Sequence, residues 1–86
     1  MLPATTGKTR EVNAHVSRRL RELRKERGLT LEQAAALLQP HSDYRWHTKS
    51  FSRAEQCAGL VIKRWNVDDL YALSTAFDVP VSYFLP

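Results

Sequence analysis

One stretch of the sequence combines an apolar and a polar face at helical spacing: Arg45-Trp46-His47-Thr48-Lys49-Ser50-Phe51-Ser52-Arg53-Ala54-Glu55-Gln56-Cys57. Phe51, Ala54 and Ala58 recur at steps of three and four residues, so one side of a helix can bury them together. Hydroxyl and cationic side chains fill the other side, at Thr48, Lys49, Ser52 and Arg53. Such groups contact base edges and phosphates in DNA. The pattern predicts a helix over about 48–58 that suits a DNA major groove, although an ordinary amphipathic surface helix has the same two faces.

Length and composition limit the class of protein. The chain has 86 residues, 43% of them apolar, which suits one small domain with a single core. The longest apolar run, Ala34 to Leu38, is far too short to span a bilayer. Residues 1–7 lack the apolar stretch of a signal peptide, and the single Cys57 has no partner for an internal disulfide. We therefore expect a cytoplasmic protein with no membrane partner.

Charge is distributed unevenly along the chain. Residues 1–64 hold all 13 Lys and Arg and six of the nine acidic residues, which gives +7. Residues 65–86 hold no base and three acidic residues, which gives −3. A basic body with an acidic tail is expected when one face meets a polyanion. Chance segregation on a solvated surface explains the charges equally well before motifs are considered.

The first half of the chain predicts a flexible arm over residues 1–10 and then two helices. The first helix runs from about Glu11 to Arg27 and ends at Gly28, a residue that closes helices in the left-handed conformation. The apolar stripe of this helix is Val12, Val16, Leu20 and Leu23, and the charged residues between 18 and 27 are mostly solvated surface. The second helix runs from about Leu31 to Leu38, with Thr30 and Gln33 as a capping box and Pro40 as a stop.

The second half predicts a connection over 39–46, in which Tyr44 or Trp46 packs inward, and a third helix capped by His47 or Thr48. Residues 60–62 are a short extended piece or a buried loop. A fourth helix runs from about Val67 to Phe77, with Asn66 as its N-cap and two aspartates in its first turn. A last turn over 81–85 docks Tyr83 or Phe84 on the core. The whole is an all-α bundle of four to five helices over residues 11–86, with two short central helices in a helix-turn-helix layout.

These residues, in this order, resemble the lambda-repressor-like helix-turn-helix domain of phage repressors, Cro proteins and their bacterial relatives, the xenobiotic-response-element type. Three stretches carry the resemblance: Leu20 to Thr30, Glu32 to Leu38, and Phe51 to Glu55 followed by Val67 to Pro80. The ending, Val81 to Pro86, is similar to regulators of actinobacteria or their phages. The resemblance covers about residues 14–86. It departs from the family in a connection about six residues longer before the third helix, in Leu31 at a usually polar position, and in Cys57 near a usual glycine.

The resemblance implies a role for particular residues. The positions at which the family reads bases are Thr48, Lys49, Ser50, Ser52 and Arg53. The positions implied to contact phosphates are Thr30, Arg45, Lys63 and Arg64, and the family uses backbone N–H groups at the start of the second helix. Arg24 and Glu55 match a partly buried ion pair that ties the first helix to the end of the third.

Two functions from different classes remain open. The first is sequence-specific binding of double-stranded DNA for transcriptional regulation, as a homodimer on a palindromic operator, which would make the protein nucleoid-associated. A domain this small binds weakly alone, so we expect self-association through its apolar C-terminal residues, or a C-terminal extension. The second is a protein-interaction module, such as an antitoxin or a partner-binding regulator.

We expect no enzyme activity and no cofactor. The sequence has no nucleophile and base set and no Gly-rich phosphate loop. The spacing of His15, His41, His47 and Cys57 matches no zinc-ligand pattern. Trp46 and Trp65 are more readily explained as core or loop anchors than as platforms on which bases stack.

Overall fold

The computed structural model describes residues 7–59 and 61–86. These described residues form four α-helices, namely α1 (Gly7–Glu26), α2 (Leu31–Leu38), α3 (Thr48–Ala54) and α4 (Val67–Phe77). Two short 3-10 helices follow α2 and α4, at Gln39–His41 and Val81–Phe84. No strand occurs in the described residues, so the predicted all-α bundle is confirmed.

The bounds of α2 and α4 are those that the capping residues predict. At the start of α2, the Thr30 hydroxyl accepts a hydrogen bond from the Gln33 N–H, and the Gln33 side chain accepts from the Thr30 N–H. Asn66 and Asp69 make the same reciprocal pair at the start of α4. Each pair satisfies two N–H groups that the first turn of a helix leaves without partners.

The first helix is longer than predicted. It begins at Gly7 rather than near Glu11, so residues 7–10 are helical and do not belong to a flexible arm. The rest of the predicted arm, residues 1–6, lies outside the described residues. Two hydrogen bonds stabilise the extra turn. Within the helix, Asn13 donates to the Thr9 carbonyl at 3.1 Å, and Arg10 donates to the carbonyl of Gly59 in a distant part of the chain.

The third helix is shorter than predicted. It ends at Ala54, and Ala58 is exposed instead of joining Phe51 and Ala54 in the core. Its last turn tightens, since the Gln56 N–H bonds to the Arg53 carbonyl in a three-residue step. The spacing of apolar residues therefore predicts a longer helix than the backbone forms.

All four helices and the C-terminal turn contribute to one core. The fully buried large side chains are Val16, Leu20, Leu23, Leu38, Phe51, Leu73, Phe77 and Phe84. Val12 does not belong to this set, because 39% of it remains exposed. Burial of a side chain of this size contributes about 1.5–3 kcal/mol, so these residues dominate the stability of the bundle.

The two long connections differ in character. In the segment between α2 and α3, Trp46 packs inward and only 7% of it is exposed, whereas Tyr44 is 53% exposed. In the segment before α4, Leu60 lies outside the described residues, Val61 is 76% exposed and Ile62 is half-buried. Residues 61–66 have neither helix nor strand, so the prediction of a buried loop there is wrong for Val61.

The C-terminal turn closes the bundle against α1. Phe84 is fully buried and Tyr83 is half-buried, as one of the two alternatives predicted. The Arg19 guanidinium lies 3.9 Å from the centre of the Tyr83 ring and donates to the Tyr83 carbonyl at 3.1 Å. Arg27, also on the C-terminal side of α1, donates to the carbonyl of Phe77. No helix in the described part of the chain is both long and apolar enough to cross a membrane.

The end of α4 provides a test of backbone strain. Asp78 closes the helix with φ of 54° and ψ of 52°, a left-handed conformation that glycine adopts more readily. Asp78→Gly should therefore raise the free energy of unfolding by about 0.5–1 kcal/mol relative to Asp78→Asn, measured by urea denaturation. The Asn variant is the matched control because it removes the charge and keeps a side chain. Equal stability of the two variants would show that Asp78 bears no strain.

Candidate nucleic-acid interface

The two sides of α3 are separated as the sequence pattern predicts. Phe51 and Ala54 are 0% and 2% exposed, and they attach the helix to the core. The opposite side is exposed and consists of Thr48, Lys49, Ser52 and Arg53. Two hydroxyl groups and two cations therefore face outward from a helix whose back is fixed by packing.

Ser50 does not belong to this outward face. It is 7% exposed, and its hydroxyl accepts from the His47 N–H and donates to the His47 carbonyl, both at 3.0 Å. In return, Nδ1 of His47 accepts from the Ser50 N–H at 3.4 Å. His47 is thus the N-cap of α3, as one alternative predicted, and Ser50 completes the cap in place of the predicted base contact.

A buried ion pair joins α1 to the end of α3. The Nε and Nη2 atoms of Arg24 donate to the two carboxylate oxygens of Glu55 at 2.5 and 3.1 Å. Nη1 of the same guanidinium donates to the Leu29 carbonyl at 2.8 Å. The two side chains are only 13% and 7% exposed, so the predicted partly buried pair is confirmed. This bidentate geometry fixes the end of α3 with respect to α1 and to the turn that leads into α2.

The start of α2 and the face of α3 share one shallow groove. The groove is lined by Arg21, Arg24, Leu31, Ser52, Glu55 and Gln56. In the described residues, no acceptor meets the N–H groups of Leu31 and Glu32, whereas the Thr30 hydroxyl is engaged in the capping box. An anion in this groove would therefore meet backbone N–H groups at a helix start rather than the Thr30 side chain.

Arg21 lines this groove, although the sequence pattern predicts only a solvated helix surface for it. It is exposed and lies one helical turn before Arg24, on the side of α1 that borders Ser52. The three-residue step from Arg24, a residue with a predicted partner on α3, is the signal that could have identified it.

The residues predicted to contact phosphates outside the start of α2 differ in their exposure to solvent. Arg45 and Arg64 are exposed. Lys63 is half-buried and engaged, since its ammonium lies 3.6 Å from an Asp69 carboxylate oxygen and 5.0 Å from the centre of the Trp65 ring. Trp65 is itself anchored by a hydrogen bond of 3.0 Å from its indole N–H to the Ser17 hydroxyl. Lys63 thus stabilises the fold and is not the free cation that the prediction required.

Most of the free positive charge lies near α3 and the groove. Within residues 9–59 and 61–86, the cations with no ion pair, hydrogen bond or ring contact are Arg21, Lys25, Arg45, Lys49, Arg53 and Arg64. Several other arginines are occupied by backbone carbonyls or carboxylates inside the fold. The interface available to a polyanion is therefore smaller and better localised than the net charge indicates.

A second recess has the opposite character. It lies between the connection after α2 and α4, and three carboxylates (Asp43, Asp68 and Asp69) and the exposed rings of Tyr44 and Tyr71 contribute to its lining. Negative charge repels phosphates, so the α4 side of this recess, with Asp68 and Asp69, does not favour a nucleic-acid contact. No group of three His, Cys, Asp or Glu side chains with metal-site geometry occurs in the described residues.

Comparison with known proteins finds no relative of this chain. The chain matches no protein-family model, and neither a curated protein nor a solved structure is significantly similar to it.

The buried ion pair can be tested with a double-mutant cycle. Arg24→Met and Glu55→Leu should each lower the free energy of unfolding by about 3–5 kcal/mol, because each leaves an unpaired buried charge. The double variant should lose clearly less than the sum of the two single losses, measured by urea denaturation. Arg19→Met with Glu22→Leu is the control, since these side chains are 34% and 52% exposed and their coupling should be near zero, while the cycle subtracts the loss of the contact between Arg19 and Tyr83. If the losses at Arg24 and Glu55 add, the two side chains are not coupled energetically and the prediction is wrong.

Proposed function

We propose that the protein binds double-stranded DNA in a sequence-specific manner and regulates transcription, with α3 in the major groove. The observation that carries the proposal is the outward face of α3, where Lys49 and Arg53 have no partner among the described residues and Thr48 and Ser52 add hydroxyl groups. Packing does not require two unpaired cations on one short helix. Arginine and lysine donate to guanine edges, and hydroxyl groups bond to bases or phosphates.

The phosphate contacts in this proposal come from both sides of α3. Arg45 precedes the helix, and along it lies the groove with Arg21 and the Leu31 N–H, for which the described residues provide no acceptor. Such contacts supply affinity and register, whereas the α3 side chains supply the choice of sequence. In this arrangement α2, the connection and α3 serve as a helix-turn-helix unit, as in the repressor family that the sequence resembles.

A homodimer on a palindromic operator is the second part of the proposal. An exposed recess between the first turns of α1 and the C-terminal residues is lined by Val12, Ala14, His15 and Pro86, among others. Leu85, next to it in sequence, is 40% exposed. We propose that a second copy covers this surface, because two half-sites multiply the affinity of a small domain.

The protein-interaction module is the competing function, and the acidic recess with Tyr44 and Tyr71 favours it. Tyrosine is enriched at protein interfaces, and 53% and 67% of these two residues are exposed. The outward side chains of α3 do not line this recess, although Asp43 lines both it and the recess beside Arg45. A partner protein and DNA therefore do not compete for the α3 side chains.

Selection of bound fragments from a random DNA pool tests DNA binding first. We expect an enriched palindrome and a steep decrease of affinity with salt. Lys49→Ala and Arg53→Ala should each weaken binding to that operator by about 1–3 kcal/mol, with a smaller effect on random DNA. Arg45→Ala should weaken binding to both DNAs and lower the salt slope by about 0.9 for each half-site.

Lys25→Ala is the matched control for these variants. It removes the same charge from an exposed residue of α1 that lines neither the groove beside α3 nor the recess of the proposed dimer contact, and it should leave binding almost unchanged. Equal losses on operator and random DNA for Lys49→Ala and Arg53→Ala would contradict base reading by α3. Absence of any enriched sequence would overturn the proposal in favour of the interaction module.

The dimer is tested by sedimentation equilibrium without DNA. Val12→Gln combined with Leu85→Gln should weaken self-association at least tenfold, since both changes remove apolar surface from the proposed contact. Val61→Gln combined with Val67→Gln is the control, because these valines are 76% and 72% exposed at another part of the surface. A wild-type protein that stays monomeric at millimolar concentration would contradict the dimer contact.

A further inference from the structure

The connection between α2 and α3, residues 39–47, is closed upon itself by the side chain of Gln39. Its Nε2 donates to the carbonyl of Tyr44 at 2.9 Å and to that of Ser42 at 3.4 Å. Its Oε1 accepts from the Trp46 N–H at 2.7 Å. One half-buried side chain thus satisfies three backbone groups that a loop of this kind otherwise leaves to solvent.

Trp46 joins this connection to the core side of α3. Its indole N–H donates to the Ser42 hydroxyl at 3.1 Å, and the same hydroxyl accepts from the Tyr44 N–H at 3.1 Å. The Trp46 ring meets the rings of Tyr44 and Phe51 edge-on, with centroids 4.8 and 5.8 Å apart. Phe51 is the fully buried residue of α3, so the connection and the helix are packed as one unit.

A cation fixes the connection from its other side. The Lys63 ammonium lies 5.7 Å from the ring centres of both Tyr44 and Trp46, in addition to its contact with Asp69. Cation–π contacts of this kind are stronger when the cation is partly desolvated, as the half-buried Lys63 is. The segment before α4 therefore limits the movement of the connection.

Arg45 is the exception within this network. Its neighbours Tyr44 and Trp46 are held by hydrogen bonds and ring contacts, whereas the Arg45 side chain is exposed and has no partner in the described part of the chain. It lines a surface recess with Gln39, Asp43, Trp46 and His47, the N-cap of α3. A fixed backbone thus presents a free guanidinium beside the start of the helix that faces the major groove in the proposed function.

We infer that Gln39 is a positioning residue for DNA binding: it holds the connection as a second contact element that presents Arg45 to a backbone phosphate. The inference rests on the proposed function and concerns the part of the chain that departs from the repressor family. A guanidinium on a preorganised loop loses less conformational freedom on binding than one on a flexible loop. Gln39 itself touches no DNA in this arrangement and acts through Arg45.

The test compares Gln39→Met with Arg45→Ala on the selected operator. Gln39→Met keeps the length of the side chain and removes all three hydrogen bonds. We expect it to weaken binding about three- to tenfold and to lower the salt slope by about 0.9 for each half-site, as Arg45→Ala does. Ethylation interference should lose the same phosphate of each half-site in both variants. In the Arg45→Ala background, Gln39→Met should have no further effect.

Gln33→Met is the matched control, since it removes a glutamine from the capping box of α2 rather than from the connection. Its effect should add fully to that of Arg45→Ala. Gln39→Glu is a second variant that keeps the acceptor for Trp46 but turns a carboxylate oxygen toward the Ser42 and Tyr44 carbonyls. It also adds negative charge beside Arg45, so it should weaken binding at least as much as Gln39→Met. All measurements are made well below the melting temperature of each variant, so that unfolding does not contribute.

Each outcome is decisive. If the effects of Gln39→Met and Arg45→Ala add, or if Gln39→Met leaves every phosphate contact intact, Gln39 is only structural and the inference is overturned while the DNA-binding proposal stands. If wild-type protein selects no DNA sequence, the proposed function fails and the inference fails with it. Non-additive effects at one phosphate establish the positioning role.

Discussion

The contact between Arg24 and Glu55 is the constraint on which the arrangement of the helices depends. One guanidinium binds both carboxylate oxygens of Glu55 and the carbonyl of Leu29, so it gathers the end of α1, the turn into α2 and the end of α3. Glu55 is 6% exposed, and a carboxylate at that depth requires a partner. The direction in which α3 presents its polar face follows from this pair together with the packing of Phe51.

The described cations differ in role: some bond to backbone carbonyls inside the fold, and others are available to a polyanion. Arg10, Arg19 and Arg27 donate to carbonyls at distant points of the chain and thereby close the bundle. Most of the cations that have no such partner among the described residues lie around α3 and its groove. The unpaired cations, rather than the net charge, support a nucleic-acid surface, because an arginine that serves a carbonyl has already lost part of its hydration and freedom.

The parts of the fold that could be predicted are those that depend on residues close in sequence. Capping pairs mark the start of α2 and α4, and the phase of the apolar residues identifies the back of α3. Ser50 was assigned wrongly because a hydroxyl two residues into a helix can either face outward or bond back to the cap, and the pattern is the same for both. Ala58 has the spacing of a buried helical residue, but the helix ends before it, so its predicted burial was wrong. The role of Gln39 was not predictable, since its partners are backbone groups in a segment without periodicity.

The closure of residues 39–47 by Gln39 has a consequence for how such a chain can change in evolution. Every hydrogen bond that Gln39 makes joins residues at most seven positions apart. Local contacts of this kind close small loops, which lose little entropy and form quickly. A segment closed by its own hydrogen bonds can lengthen or shorten between two helices as long as Trp46 keeps its place against Phe51 in the core. The link between α2 and α3 is therefore a place where related chains can diverge in sequence and length without loss of the bundle.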